Sequence, residues 1–144
     1  MGELDGRVAL VTGGGRGIGR AISELLAAHG AAVAVNYRKD RESADATVDA
    51  ITAAGGVARA YQASVDDAEQ DAAMVGAVVG ELGAVGILVN NGGIASRGQS
   101  VADTDPAEMA RVVATHALGP HHLCRHRIAD QRDRNLPLLQ FPGG

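Results

Sequence analysis

The sequence has one cysteine, Cys124, no tryptophan, two tyrosines and one phenylalanine. A lone cysteine cannot close an internal disulfide, so no disulfide framework holds the fold. With aromatics at 2%, the core has to be built from Val, Ala, Leu and Ile. Long apolar runs are missing as well, and none approaches the roughly 20 residues that cross a bilayer. Met1 to Gly6 contains neither a basic stretch nor a long apolar one, so no signal peptide is expected. Positive charge is not in excess: 13 Lys and Arg face 17 Asp and Glu, for a formal charge of −4. That balance argues against a general nucleic-acid binder. His121, His122, Cys124 and His126 crowd one helix end and offer at most two ligands on a face, so no metal site is expected. These absences point to a soluble cytoplasmic protein with no membrane or nucleic-acid partner.

Hydrophobic residues at 46% and charged residues at 21% are an ordinary globular mixture, and 144 residues suit one domain. What is abundant is glycine. There are 20, about twice the usual share of roughly 7%, and they follow no collagen period. Several punctuate the chain. Arg7 to Thr12 is a short apolar run stopped by Gly13-Gly14-Gly15, the pattern of a buried strand. From Gly17 the apolar spacing turns helical through Ile18, Ala21, Ile22, Leu25, Leu26 and His29, and Gly30 closes it. A second strand at 31–35 ends in Asn36-Tyr37-Arg38, and a polar-faced helix follows at about 42–54. A third strand spans 57–62. Asp66 or Asp67 caps the next helix, whose apolar positions are Met74, Val75, Val78, Val79 and Leu82. A fourth strand lies at 86–90. Asp105 and Pro106 are the N-cap and first residue of a last helix carrying Met109, Val112 and Val113. Strands alternating with helices predict a Rossmann-like α/β fold: a parallel sheet of about four strands with helices on both faces.

Thr12-Gly13-Gly14-Gly15-Arg16-Gly17-Ile18-Gly19 falls between the first strand and the first helix. A glycine loop there presents a helix N-terminus to a pyrophosphate, with Gly13 for the turn, Gly17 for close backbone approach and Gly19 for helix packing. An NAD site places an acid near the end of the second strand. Here the strand ends in Asn36-Tyr37-Arg38-Lys39 without one, and Arg38, Lys39 and Arg16 supply cations. Guanidinium groups suit a 2′-phosphate, so NADP(H) is favoured over NAD(H).

The spacing T-G-x-x-x-G-I-G, with Asn90-Asn91-Gly92-Gly93 after the fourth strand, resembles the short-chain dehydrogenase/reductase family, in its 3-oxoacyl-carrier-protein-reductase-like branch. The resemblance covers about Leu4 to Arg125. It implies an oxidoreductase that reduces a small-molecule carbonyl or acyl substrate and pairs into a homo-oligomer. It assigns Gly13, Arg16, Gly17, Ile18 and Gly19 to the phosphates, and Tyr37 and Arg38 to the adenosine ribose. Ser64 and Val65 fall where the family has Asp-Val against the adenine. Asn90 and Gly92 would lie beside the cofactor. His116 replaces the family's asparagine in the following helix and is the one weak candidate for a catalytic group.

The family's Tyr-x-x-x-Lys occurs nowhere in the sequence. Its two tyrosines are Tyr37 and Tyr61, its only lysine is Lys39, and no serine follows Ser100. Residues 1–125 therefore read as the dinucleotide-binding part of such an enzyme and 126–144 as a divergent tail. In that tail Pro137 and Pro142 oppose a central strand. With GC-rich codons a shifted frame of Leu139 to Gly144 reads Ser-Ser-Ser-Arg-Ala, which fits a truncated or frameshifted product. A non-catalytic dinucleotide-binding module is the other open alternative.

Overall fold

A computed structural model describes residues 2–133. Along them run β1 (Val8–Val11), α1 (Gly17–Ala28), β2 (Ala32–Tyr37), α2 (Arg41–Ala53), β3 (Val57–Gln62), α3 (Ala68–Glu81), β4 (Val85–Val89), α4 (Pro106–Val113) and α5 (Gly119–Asp133). A wide π-helical turn at Ala114–Leu118 joins the last two helices. The four strands form one parallel sheet in the order β3-β2-β1-β4. The chain steps outward from β1 to β3, then returns to the other side of β1. That reversal leaves a crevice beyond the carboxyl ends of β1 and β4, where open α/β sheets bind ligands.

Both faces of the sheet are covered, as the alternating pattern predicts. Successive side chains of a strand point opposite ways. Val8 and Leu10 thus pack with Met74, Val75 and Val78 of α3 and Leu123 of α5. Ala9 and Val11 pack with Ala27 of α1 and with Ala44 and Ile51 of α2. Three aspartates cap helices: Asp40 for α2, Asp67 for α3 and Asp105 for α4. Of the pair Asp66 and Asp67, it is Asp67 whose carboxylate accepts from the backbone N–H groups of Glu69 and Gln70.

Some expectations need correcting. The apolar stripe of α1 does not face the core at Ile18 and Leu25, which are 75% and 61% exposed. The buried positions are Gly19, Ser23 and Ala27, four residues apart. Small side chains let the helix sit close to its neighbours; Ile22 and Leu26 pack at the edge of that contact, while Ile18 and Leu25 face outward. Met109 and Val113 are likewise exposed, and the buried side chain in α4 is Glu108. Its carboxylate accepts the Arg97 backbone N–H at 2.6 Å and so ties down the loop after β4. Cys124 is exposed. Helix α5 passes through position 125 without a break and reaches Asp133; the prolines of the tail, Pro137 and Pro142, lie outside the described residues. No helix among the described residues is long and apolar enough to cross a membrane.

A second carboxylate is buried more deeply than that of Glu108. Asp71 of α3 has no exposed surface, and neither of its oxygens has a hydrogen-bond partner among the described residues. Across the α3–α5 contact, His122 Nδ1 stands 3.6 Å from Asp71 Oδ2.

Candidate functional site

The glycine loop between β1 and α1 is held by side chains from distant parts of the chain. Gly13 and Gly17 take left-handed backbone angles, φ +59° and +55°. Three successive loop carbonyls are engaged. Gly13 O accepts from Asn91 Nδ2 at 3.1 Å, Gly14 O from Ser23 Oγ at 3.0 Å, and Gly15 O from Thr47 Oγ1 at 2.8 Å. On the donor side, the Gly13 N–H reaches Asn36 Oδ1 at 3.2 Å and the Gly14 N–H reaches the Asn36 carbonyl at 3.0 Å. Elements β2, α1, α2 and the β4 loop therefore fix the same few peptide units. A Cβ on Gly15 would stand 2.8 Å from the Ala44 backbone, so α2 also restricts the loop sterically.

Helix α1 differs from α2, α3 and α4 at its start. Each of those has an aspartate cap, whereas Arg16, the N-cap of α1, makes no side-chain cap hydrogen bond. The first-turn N–H groups of a helix have no intrahelical partner, and the helix dipole adds partial positive charge there. An anion satisfies both.

That helix end opens onto a cleft of about 760 Å³. The glycine loop contributes Gly13, Arg16, Gly17 and Ile18; the end of β2 contributes Tyr37, Arg38, Lys39 and Asp40. Ser64, Val65 and Asp66 follow β3, while Asn91 to Ala95 follow β4 and Thr115 lies in the π turn. The structure thus gathers Gly13, Arg16, Gly17, Ile18, Tyr37, Arg38, Ser64, Val65 and Gly92 around one cleft. Two residues expected at the cofactor are not on its wall. Gly19 lies beneath the loop, where a Cβ would run into the Gly13 carbonyl and the Asn91 amide. Asn90 points its amide toward Cys124 Sγ, 3.9 Å away. Neighbouring residues leaving a strand face opposite sides, so Asn91 is the one that meets the glycine loop. Its backbone N–H and that of Gly92 both donate to Thr12 Oγ1, at 3.0 and 2.8 Å.

The sequence pattern does not mark Asn36 and Asn91 as loop anchors; its one local signal is a polar residue closing an apolar strand. The cleft also holds an acid. Asp40 lines the cleft, and its Oδ2 stands 3.5 Å from Arg16 Nη1. The Ser43 backbone N–H, then the Ser43 hydroxyl, hold its carboxyl below the usual carboxylate range against modest burial, and Arg16 adds to this. The expectation of a second-strand end free of acid therefore gives way to three cations accompanied by one fixed anion. Ser64 is committed as well: its hydroxyl donates to Asp66 and its backbone N–H to Gln70 Oε1.

His116 sits on the π turn with Nε2 2.8 Å from the Ile94 carbonyl and 3.2 Å from the Ile94 N–H. Whichever tautomer is present, this nitrogen is used in holding the loop after β4. Among the described residues no group of three or more His, Cys, Asp or Glu could hold a metal ion.

The comparisons agree with this geometry. The family model for short chain dehydrogenases matches residues 7–134. Versicolorin reductase 1 of Aspergillus parasiticus is 42% identical over 137 residues, which make up 95% of this chain and 52% of that protein. An uncharacterized oxidoreductase of Methylorubrum extorquens is 52% identical over 94 residues, covering 65% of this chain and 38% of the relative. Among solved structures, a metagenomic short-chain oxidoreductase in complex with NADP superposes with a TM-score of 0.86 at 32% identity, over 92% of this chain and 60% of the other. A short chain dehydrogenase from Burkholderia cenocepacia in complex with NADP gives a TM-score of 0.83 at 38% identity, over 88% and 51%. The chain spans about half the length of the curated relatives it matches.

Proposed function

Because the chain belongs to the short chain dehydrogenase family, we propose that it is the dinucleotide-binding part of an NADP(H)-dependent oxidoreductase. Residues 1–125 form that unit in this reading, in a cytoplasmic protein that pairs into a homo-oligomer. The observation that carries the proposal is the uncapped N-terminus of α1, opening onto a cleft whose adenosine end holds Arg16 and Arg38. The pyrophosphate lies against the loop at Gly13 and Gly17, and Tyr37 and Arg38 flank the ribose. Val65 and Ser64 border the base, and Gly92 borders the middle of the cofactor. When bound, the cofactor supplies the hydride for reduction of a carbonyl or acyl substrate.

NADPH is expected to bind about tenfold tighter than NADH, the difference one charge-assisted contact makes. Arg38→Asp is expected to reverse that order. Fluorescence titration of the purified chain with both nucleotides measures it, and equal wild-type affinities would remove the basis for the preference.

The same chain by itself is expected to bind cofactor without reducing carbonyls at a useful rate. Reduction leaves an alkoxide that needs a proton, and a positioned general acid contributes typically 10²–10⁴-fold. Tyr37 lies at the end of β2 beside Arg38, at the adenosine side of the cleft, the Tyr61 hydroxyl donates to Glu81, and His116 Nε2 is occupied by Ile94. NADPH consumption with a β-ketoacyl thioester is the assay. Robust turnover that disappears in His116→Ala would make His116 the acid and overturn the expectation.

A further inference from the structure

Resting on the NADP(H) reading, we propose that Asp40 sets how strongly the cleft prefers a 2′-phosphate to a 2′-hydroxyl, by competing for Arg16 and by placing a fixed negative charge beside the cations. Arg16, Arg38, Lys39 and Asp40 line the same end of the cleft. The Arg16 guanidinium stands 3.5 Å from Asp40 Oδ2, with the arginine side chain 79% exposed and the aspartate 40%. The two partners are unequally held. Among the described residues Arg16 is held by its own flexible stem and this ion pair. Asp40 is the N-cap of α2: Oδ1 accepts the Ser43 N–H at 3.0 Å and Oδ2 accepts the Ser43 hydroxyl at 2.7 Å. Asp40 cannot turn away without uncapping its helix, so the arginine is the group that moves.

A phosphate entering this end draws Arg16 away from Asp40, or shares it, and in either case remains within the field of the carboxylate. A ribose hydroxyl does neither. Asp40 therefore lowers affinity for the phosphorylated ribose while leaving the unphosphorylated one nearly unaffected, and the chain retains use of both cofactors.

The test is Asp40→Asn in the whole chain, since asparagine caps a helix as well as aspartate does. The probes are 2′,5′-ADP and 5′-ADP, followed by titration calorimetry, with circular dichroism confirming the fold. Asp40→Ser, which also keeps a capping oxygen, serves if the asparagine variant folds poorly. The expected result is binding of 2′,5′-ADP tightened about two- to fivefold, the range of an exposed ion pair, with a smaller change for 5′-ADP. The gain should shrink at high salt, where exposed charges are screened. An equal change for both probes, no change, or weaker 2′,5′-ADP binding overturns the role of Asp40. If neither probe binds the folded wild-type chain, the dinucleotide reading fails first and takes this inference with it.

Discussion

Gly19→Val is expected to abolish cofactor binding and to destabilise the fold severely. A Cβ at this position would overlap the Gly13 carbonyl oxygen and come within 2.6 Å of Asn91 Nδ2. Both are parts of the clamp that joins the glycine loop to the end of β4. Relief requires α1 to move off the sheet. That would also pull Ser23 from the Gly14 carbonyl and open the close contact made by Ser23 and Ala27. Overpacking of a tight interior typically costs 1–3 kcal/mol. Backbone displaced beneath a functional loop adds the loss of its hydrogen bonds, at about 1 kcal/mol each. Gly19→Ala already introduces the offending atom, so it should fail in the same direction. Thermal melting and nucleotide titration read the two effects together. A variant that melts and binds like the wild type would show that α1 does not need to approach this closely.

Replacing Asp71 with valine should have the opposite sign and stabilise the protein. Asp71 has no exposed surface, and its pKa is pushed up from 3.8 to about 7, by burial first and then by the negative charges of Asp67 and Asp66. Across the contact it faces His122 at 3.6 Å. In the unfolded chain this carboxyl ionises near pH 4, while in the folded chain it keeps its proton to about pH 7. Between those values the folded state binds more protons than the unfolded one. Stability contributed by this group is therefore whole below about pH 4, falls as pH rises toward 7, and is lost above it. A shift of this size corresponds to roughly 3–5 kcal/mol. Denaturant unfolding of the wild type and Asp71→Val at pH 5 and pH 8 should show the variant ahead by more at pH 8. His122 loses its neighbour in this variant, but its side chain is 25% exposed and can turn to water. A variant less stable than the wild type at pH 8 would mean that Asp71 gains more from its contact with His122 than its burial costs.

Much of the scaffold could be read directly from residue order. The 57–62 strand, the Asp105–Pro106 helix start and the glycine loop between β1 and α1 coincide with the structure. Each depends on neighbours a few residues apart: an apolar run, a cap, a glycine where the chain must turn left-handed. The alternation of strand and helix was sufficient for the sheet class, because crossovers of that length force parallel pairing.

What only tertiary structure decided were relations between residues far apart in sequence. Periodicity located the apolar stripe of α1 but not which side of it met the sheet; close packing chose Gly19, Ser23 and Ala27 and exposed Ile18 and Leu25. Asn90 and Asn91 are chemically equal in the sequence, and the direction in which the chain leaves β4 made Asn91 the clamp. The turn after β2 brings Asp40 to Arg16, and helix α5 covers Asp71; neither relation can be read from sequence neighbours. Local sequence fixes conformation through short-range sterics and hydrogen bonds. The partner of a charge or an amide is set by packing between elements, and no run of neighbouring residues encodes that distance.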